Sequence, residues 1–156
     1  MNNQVQAELK KIFNSRFSTS ESTRANYARG EDTYDPILSK AVVFPETNEE
    51  VSKILSLCNQ HKIPVVPFGT GTSLEGNVVG NEKGITISLE KMNKILNVNA
   101  EDFDCRVQAC VTKEQLNEYL REDGVFFPID PGANAAIGGM ASVSYTHLTL
   151  PTNREV

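Results

Sequence analysis

Tryptophan is absent from this chain, histidine occurs twice and cysteine three times. Metal sites built on imidazole or thiolate need such residues clustered at short spacings. His61 and His147 stand far apart, and Cys58, Cys105 and Cys110 form no CxxC pair. An odd cysteine count argues against a disulfide framework, so a reducing compartment is expected and the thiols read as packing residues. Basic residues are in deficit: 15 Lys and Arg against 20 Asp and Glu give a net charge of −5, which provides no pull toward nucleic acid or an anionic membrane surface. Long apolar runs are missing too. Nothing approaches the roughly 20 residues of a membrane span, and MNNQVQAELKKIF at the start lacks the apolar core of a signal peptide. The expectation is a soluble, cytoplasmic protein whose 156 residues suffice for one domain with a core.

What is present changes character at Ala41. Before it, Val5, Leu9, Ile12 and Phe13 recur at helical spacing and predict an amphipathic helix over residues 4–14. Ser18 to Asp35 is polar and reads as a surface loop, so residues 1–36 form a helix and an arm. From Ala41, AVVF is a β-branched and aromatic strand, and Thr47 with Glu50 makes a capping box. Val51, Ile54, Leu55 and Cys58 trace one face of the helix that follows, through about Gln60, and IPVVPF is a second strand. This β-α-β unit implies parallel strands with a right-handed connection, and places the next loop at the carboxyl end of its second strand. GITISL at 84–89, ILNVNA and FDCRVQA at 103–109 read as further strands that pair with one another. Thr112 and Gln115 cap a helix with Leu116, Tyr119 and Leu120 as its stripe, ending near Gly124. The fold class is α+β: a β-α-β subdomain with a short parallel sheet, followed by a mostly antiparallel subdomain, together spanning residues 37–142.

The loop after the second strand, PFGTGTSLEG at 67–76, carries Gly69, Gly71 and Gly76 with Thr70, Thr72 and Ser73 between them. The dinucleotide fingerprint GxGxxG would need glycine where Leu74 stands, and no helical pattern opens from the loop. The triphosphate loop GxxxxGK[ST] fits Gly71 to Gly76, but Asn77 and Val78 replace the lysine and the hydroxyl. Two possibilities stay open: a tight turn with capping hydroxyls, or a backbone nest whose converging N–H groups hold an anion. No Lys or Arg lies between Pro67 and Gly80, so such a nest would act through neutral donors. A second small-residue loop, DPGANAAIGGMAS from Asp130, repeats this chemistry with Gly138 and Gly139.

Taken as a set, AVVFPETNEEVSKI at 41–54, IPVVPFGTGTSLEG at 63–76, ISLEKMNKIL at 87–96, VTKEQLNEYL at 111–120 and FFPIDPGANAAIGGMAS at 126–142 resemble the FAD-linked oxidases of the vanillyl-alcohol oxidase and p-cresol methylhydroxylase type. Within that family the chain is most similar to the glycolate oxidase FAD-linked subunit and the cytochrome-type D-lactate dehydrogenases. The resemblance implies FAD, held by Pro67, Phe68, Gly69, Thr70, Gly71, Thr72, Ser73 and Leu74 in the first loop and by Pro131, Gly132, Ala133, Gly138, Gly139 and Ser142 in the second. Some relatives attach the flavin covalently through a histidine in or near the first loop. Here Thr70, Thr72 and Ser73 occupy the comparable places, which implies noncovalent FAD. The implied reaction takes a hydride from a 2-hydroxy acid to flavin N5, with the electrons passing on to a second acceptor. The family's substrate-gripping residues lie in a later domain, so the resemblance marks this chain as an N-terminal fragment without catalytic residues of its own. An alternative from another class is a nucleotide- or anion-binding module without redox chemistry.

Glu101, Asp102 and Asp104 read as a solvated acidic turn, and Arg24, Arg29 and Glu31 as arm residues with no assigned role. The last stretch, VSYTHLTLPTNREV from Val143, continues no periodicity, and SYTHLTLP resembles translated sequencing adapter. It is read as a foreign tail, which removes His147 from the candidates. Deleting residues 144–156 is expected to change stability by less than about 1 kcal/mol, the range of surface changes that break no named interaction. Chemical denaturation of the full chain against one stopped at Val143 measures this, and a midpoint shift of several kcal/mol would make the tail an integral strand.

Overall fold

The computed structural model describes residues 3–142 and divides into two compact units, one reaching Met92 and one starting at Asn93. The stretch from Val143, with His147, lies outside the described residues.

In the first unit, helix α1 (Asn3–Phe13) buries Val5, Leu9 and Phe13, which recur every four residues along one face. Ile12 is 44% exposed and sits at the margin of that face. Phe17 extends the stripe into strand β1 (Phe17–Ser18), which pairs antiparallel with β2 (Val42–Val43). The polar stretch expected to be a surface loop is more ordered than that. The Ser20 hydroxyl accepts the Thr23 N–H at 3.3 Å and starts helix α2 (Glu21–Asn26), while Ala28 and Asp32 beyond it are buried. Six residues with Ala25 as the one apolar member show no apolar period, so tertiary packing rather than local pattern reveals this element.

Helix α3 (Asn48–Gln60) begins where the Thr47–Glu50 box predicts, with Thr47 Oγ1 accepting the Glu50 N–H at 3.2 Å. Its buried residues are Ile54, Leu57 and Cys58, whereas Leu55 is largely exposed, so the stripe runs through Leu57 instead. Burial pushes the Cys58 thiol pKa up, in keeping with a packing role.

Strands β3 (Val65–Phe68) and β4 (Ile85–Ser88) complete a four-stranded sheet of order β1-β2-β4-β3, in which β2, β4 and β3 are parallel. The two strands of the β-α-β unit are therefore parallel but not neighbours. GITISL, expected to pair with the strands after it, inserts between them. Ile85 and Ile87 enter the core shared with α1 and α3, while Thr86 on the other face donates to Ser39 Oγ at 2.8 Å.

In the second unit, β5 (Ile95–Asn99) and β6 (Asp104–Val107) form the expected antiparallel hairpin, with a register shift between Ile95 and Asn97. Helix α4 (Lys113–Leu120) is capped by Thr112, whose hydroxyl accepts the Gln115 N–H at 3.2 Å. Leu116 and Leu120 are buried with Val111 against Val98, Val107 and Phe127, but Tyr119 is 58% exposed and falls outside the stripe assigned to it. A 3-10 turn ends at Gly124, whose φ of 70° closes the helix in the left-handed region. The small-residue segment forms a further short helix, α5 (Ile137–Ser142), with Met140 buried.

One ion pair ties the amino-terminal part of the first unit to α3. The Arg16 guanidinium donates to both Glu50 carboxylate oxygens at 2.6 Å and to the Phe44 carbonyl at 3.2 Å, and Glu50 Oε2 also accepts the Glu46 N–H at 2.7 Å. The Arg16 hydrogen bond, opposed by partial burial, holds the Glu50 carboxyl down to about 2. Because the folded value lies below the unfolded one of about 4.3, this stabilisation is complete above roughly pH 5 and is lost as pH falls through 2. Glu50→Gln should cost about 2 kcal/mol near neutral pH and little near pH 2. Denaturation midpoints of both proteins across that range test it, and parallel pH curves would sink it.

Candidate cofactor-binding site

Because β2, β3 and β4 are parallel, their carboxyl ends share one edge, and Tyr27 just after α2 touches the ends of all three strands. Its ring lies 5.5 Å from that of Phe44 and 5.0 Å from that of Phe68, both edge to face, and its hydroxyl donates to Glu90 Oε2 at 2.6 Å. The glycine loop leaves β3 at this point.

Phe68, which ends β3, is buried, and its ring forms a floor under the loop. Gly71 takes φ 76°, and a Cβ there would lie 2.8 Å from the tip of the Phe68 ring, so both conformation and contact require glycine. Thr70 is exposed, Gly69, Thr72 and Ser73 are half-buried, and Leu74 is 70% exposed. Thr70 and Thr72 place their hydroxyl oxygens 3.4 Å apart, and Asn77 Nδ2 donates to Ser73 Oγ at 3.3 Å. Among the described residues, none of the backbone N–H groups from Gly69 through Asn77 donates to a protein acceptor. Unpaired N–H groups in sequence are the donor set that a diphosphate can fill. The cleft beside the loop, about 420 Å³ and lined by Tyr34, Asp35, Ile37, Glu75, Gly76 and Val79, carries two carboxylates and does not suit an anion.

The loop is shaped from behind by residues that sequence reasoning left in the arm. Glu31 N–H donates to the Gly71 carbonyl at 2.9 Å, and Gly80 N–H to the Ala28 carbonyl at 3.0 Å. Asp32, buried, accepts the Gly30 N–H on one carboxylate oxygen and the Tyr34 N–H on the other, both at 3.0 Å. The available signal was the string GEDTY, in which an Asp two residues before an N–H favours this local turn, but its burial was not legible.

The second loop belongs to the second unit. Asp130 accepts from Lys113 Nζ at 2.8 Å and from the Gly132 N–H at 3.0 Å, and the lysine contact, followed by the Gly132 bond, pulls its carboxyl below the ordinary value. Asn134 Oδ1 accepts the Glu114 N–H at the start of α4. Gly138 is pressed against Ala109, where a Cβ would meet that residue's side chain at 2.9 Å, whereas nothing lies within 4 Å of a Cβ at Gly139. Gly138 thus serves packing, while Gly139 leaves open space. Pro131 and Ala133 are half-buried, Gly132 and Ser142 exposed, and Ser142 Oγ donates to the Gly139 carbonyl at 3.0 Å. Each loop gathers its own set of sequence-predicted residues: eight in the first unit and six in the second.

An α+β domain with a donor-lined glycine loop at the carboxyl edge of a parallel sheet is, as a class, a cofactor-binding domain. A family model described as an FAD binding domain matches residues 39–146, and the chain belongs to that family. The mitochondrial D-lactate dehydrogenase (cytochrome) of Arabidopsis thaliana is 38% identical over 138 residues, covering 87% of this chain and 24% of that protein. The glycolate oxidase subunit GlcD of Bacillus subtilis is 31% identical over 125 residues, covering 79% and 27%. The solved structure of p-cresol methylhydroxylase with substrate bound superposes with a TM-score of 0.69 at 24% identity, over 78% of this chain and 25% of that one, which shows the fold. The chain spans about a quarter of the length of the curated relatives it matches. The α+β expectation and the FAD-linked oxidase resemblance both hold. No helix among the described residues is long and apolar enough to cross a membrane.

Gly71→Val should abolish FAD binding and leave a folded domain, since the branched side chain resists φ 76° and displaces Phe68. The backbone strain is expected to cost about 1–3 kcal/mol. FAD titration and denaturation of the variant check both, and retained affinity would reduce the loop to a turn.

Proposed function

We propose that this chain is the FAD-binding part of a flavin-dependent 2-hydroxy-acid oxidoreductase of the glycolate or D-lactate type. The observation that supports it best is the series of unpaired N–H groups from Gly69 to Asn77, in a chain similar to D-lactate dehydrogenase and to a glycolate oxidase subunit. In this proposal Pro67 to Leu74 hold the diphosphate of FAD through backbone donors, with Thr70, Thr72 and Ser73 adding hydroxyls. Pro131, Gly132, Ala133, Gly138, Gly139 and Ser142 are the cofactor contacts proposed within the second unit. Attachment is noncovalent: the first loop has no histidine, and His61 is the residue that caps the end of α3. A reducing, cytoplasmic setting is part of the same reading, in keeping with an odd number of cysteines and no CxxC pair in the sequence.

When bound, FAD supplies the two-electron acceptor that takes the hydride from the substrate α-carbon at ring N5, leaving a 2-oxo acid. The chain's own residues bind and orient: the neutral donors neutralise no charge outright, so they select position over electrostatic strength. The groups that grip the substrate carboxylate and accept its hydroxyl proton belong, in this proposal, to the length of the relatives that the chain does not span. Purified together with that remaining length, the protein should carry the visible absorption of oxidised flavin and bleach anaerobically with D-lactate or glycolate. A protein that neither retains nor takes up FAD would overturn the proposal, and one that binds FAD but is reduced by neither acid would remove the substrate class.

A further inference from the structure

The turn from Gly30 to Tyr34 packs backbone against backbone on the glycine loop. A Cβ at Gly30 would lie 2.5 Å from the Gly71 carbonyl oxygen and 3.0 Å from that of Ser73, so this approach is open to glycine alone. Next to it, Glu31 N–H donates to the same Gly71 carbonyl at 2.9 Å. The turn's own shape is fixed by Asp32, a buried carboxylate that spends one oxygen on the Gly30 N–H and the other on the Tyr34 N–H. Burying a carboxylate is costly, and here the two backbone donors offset that cost only in this one conformation.

The consequence for the loop follows from peptide geometry. Peptide bonds among the described residues are trans, so the Gly71 carbonyl and the Thr72 N–H of the same planar unit point in opposite directions. Tying the carbonyl to Glu31 turns the Thr72 N–H away from the turn. Gly76, whose Cβ position would fall 2.7 Å from the Tyr34 ring, anchors the far end of the same segment.

We propose that Asp32 is a positioning residue for the cofactor cradle: through the turn it organises, it sets the direction of the loop's donors before ligand binds, so that less order has to be imposed on binding. The inference rests on the FAD assignment above, and its test separates the two. Asp32→Ala, Asp32→Asn and wild type are compared in the full chain by FAD titration, amide exchange at Glu31 and denaturation. Asp32→Ala should accelerate exchange at Glu31 and weaken FAD binding about tenfold or more. Asp32→Asn, which keeps one acceptor oxygen, should restore part of the affinity. FAD affinity unchanged in a folded Asp32→Ala protein would show that the carboxylate serves stability alone and overturn the positioning role. Should Asp32→Ala fail to fold, Gly30→Ala decides, since its Cβ pushes the Gly71 carbonyl without touching the carboxylate; unchanged FAD affinity there overturns the proposal as well. If wild type binds no FAD, the cofactor assignment fails first, and bracing of the loop is judged by Glu31 exchange alone, with unaccelerated exchange in the variants as the result against it.

Discussion

Strand β4 is the constraint on which the first unit depends. It is paired along both edges, and all four of its residues are buried. A strand so placed must satisfy both faces at once. Ile85 and Ile87 do so by joining Val5, Leu9, Phe13, Ile54 and Leu57 in one core, and Thr86 by its hydroxyl contact with Ser39. Removing β4 would leave β2 and β3 without a common partner, and the carboxyl edge where Tyr27, Phe44, Phe68 and Glu90 meet would not exist. The glycine loop is thus positioned by a strand that comes after it in the chain.

The loop at that edge carries no cation of its own. No Lys or Arg stands between Pro67 and Gly80, and the chain as a whole carries net charge −5. Anion binding by backbone donors requires that the donors be free and already pointed, because each is weak compared with a charged group. In this loop the N–H groups from Gly69 to Asn77 lack acceptors among the described residues, and the carbonyl of Gly71 is held by Glu31. Glycine is needed on both sides of that contact, at Gly30 for approach and at Gly71 for its positive φ.

The second unit has a different economy. Its small core of Val111, Leu116 and Leu120 is closed by the β5–β6 hairpin and by Phe127, and its small-residue loop is held by side-chain caps: Asp130 on Gly132, and Asn134 on α4. Gly138 fills a packing role against Ala109, so of the paired glycines only Gly139 leaves room beside the backbone. The chain spans about a quarter of its relatives' length.

Local signals determined much of this protein. The caps at Thr47 and Thr112, the alternating or β-branched strands and the glycine-rich loop were legible because each is encoded within a few neighbouring residues. The family resemblance was legible for a related reason, since its motifs are short and occur in order. The tertiary structure alone decided that β4 enters between β2 and β3, that Leu57 rather than Leu55 faces the core, and that Tyr119 is exposed. It also turned the polar arm into the support of the cradle, with Ala28 and Asp32 buried and Gly30 against Gly71. Sequence patterns report which residues avoid water and how the local backbone bends. They do not report which distant backbone a glycine will touch, because that depends on where the sheet brings the chain back.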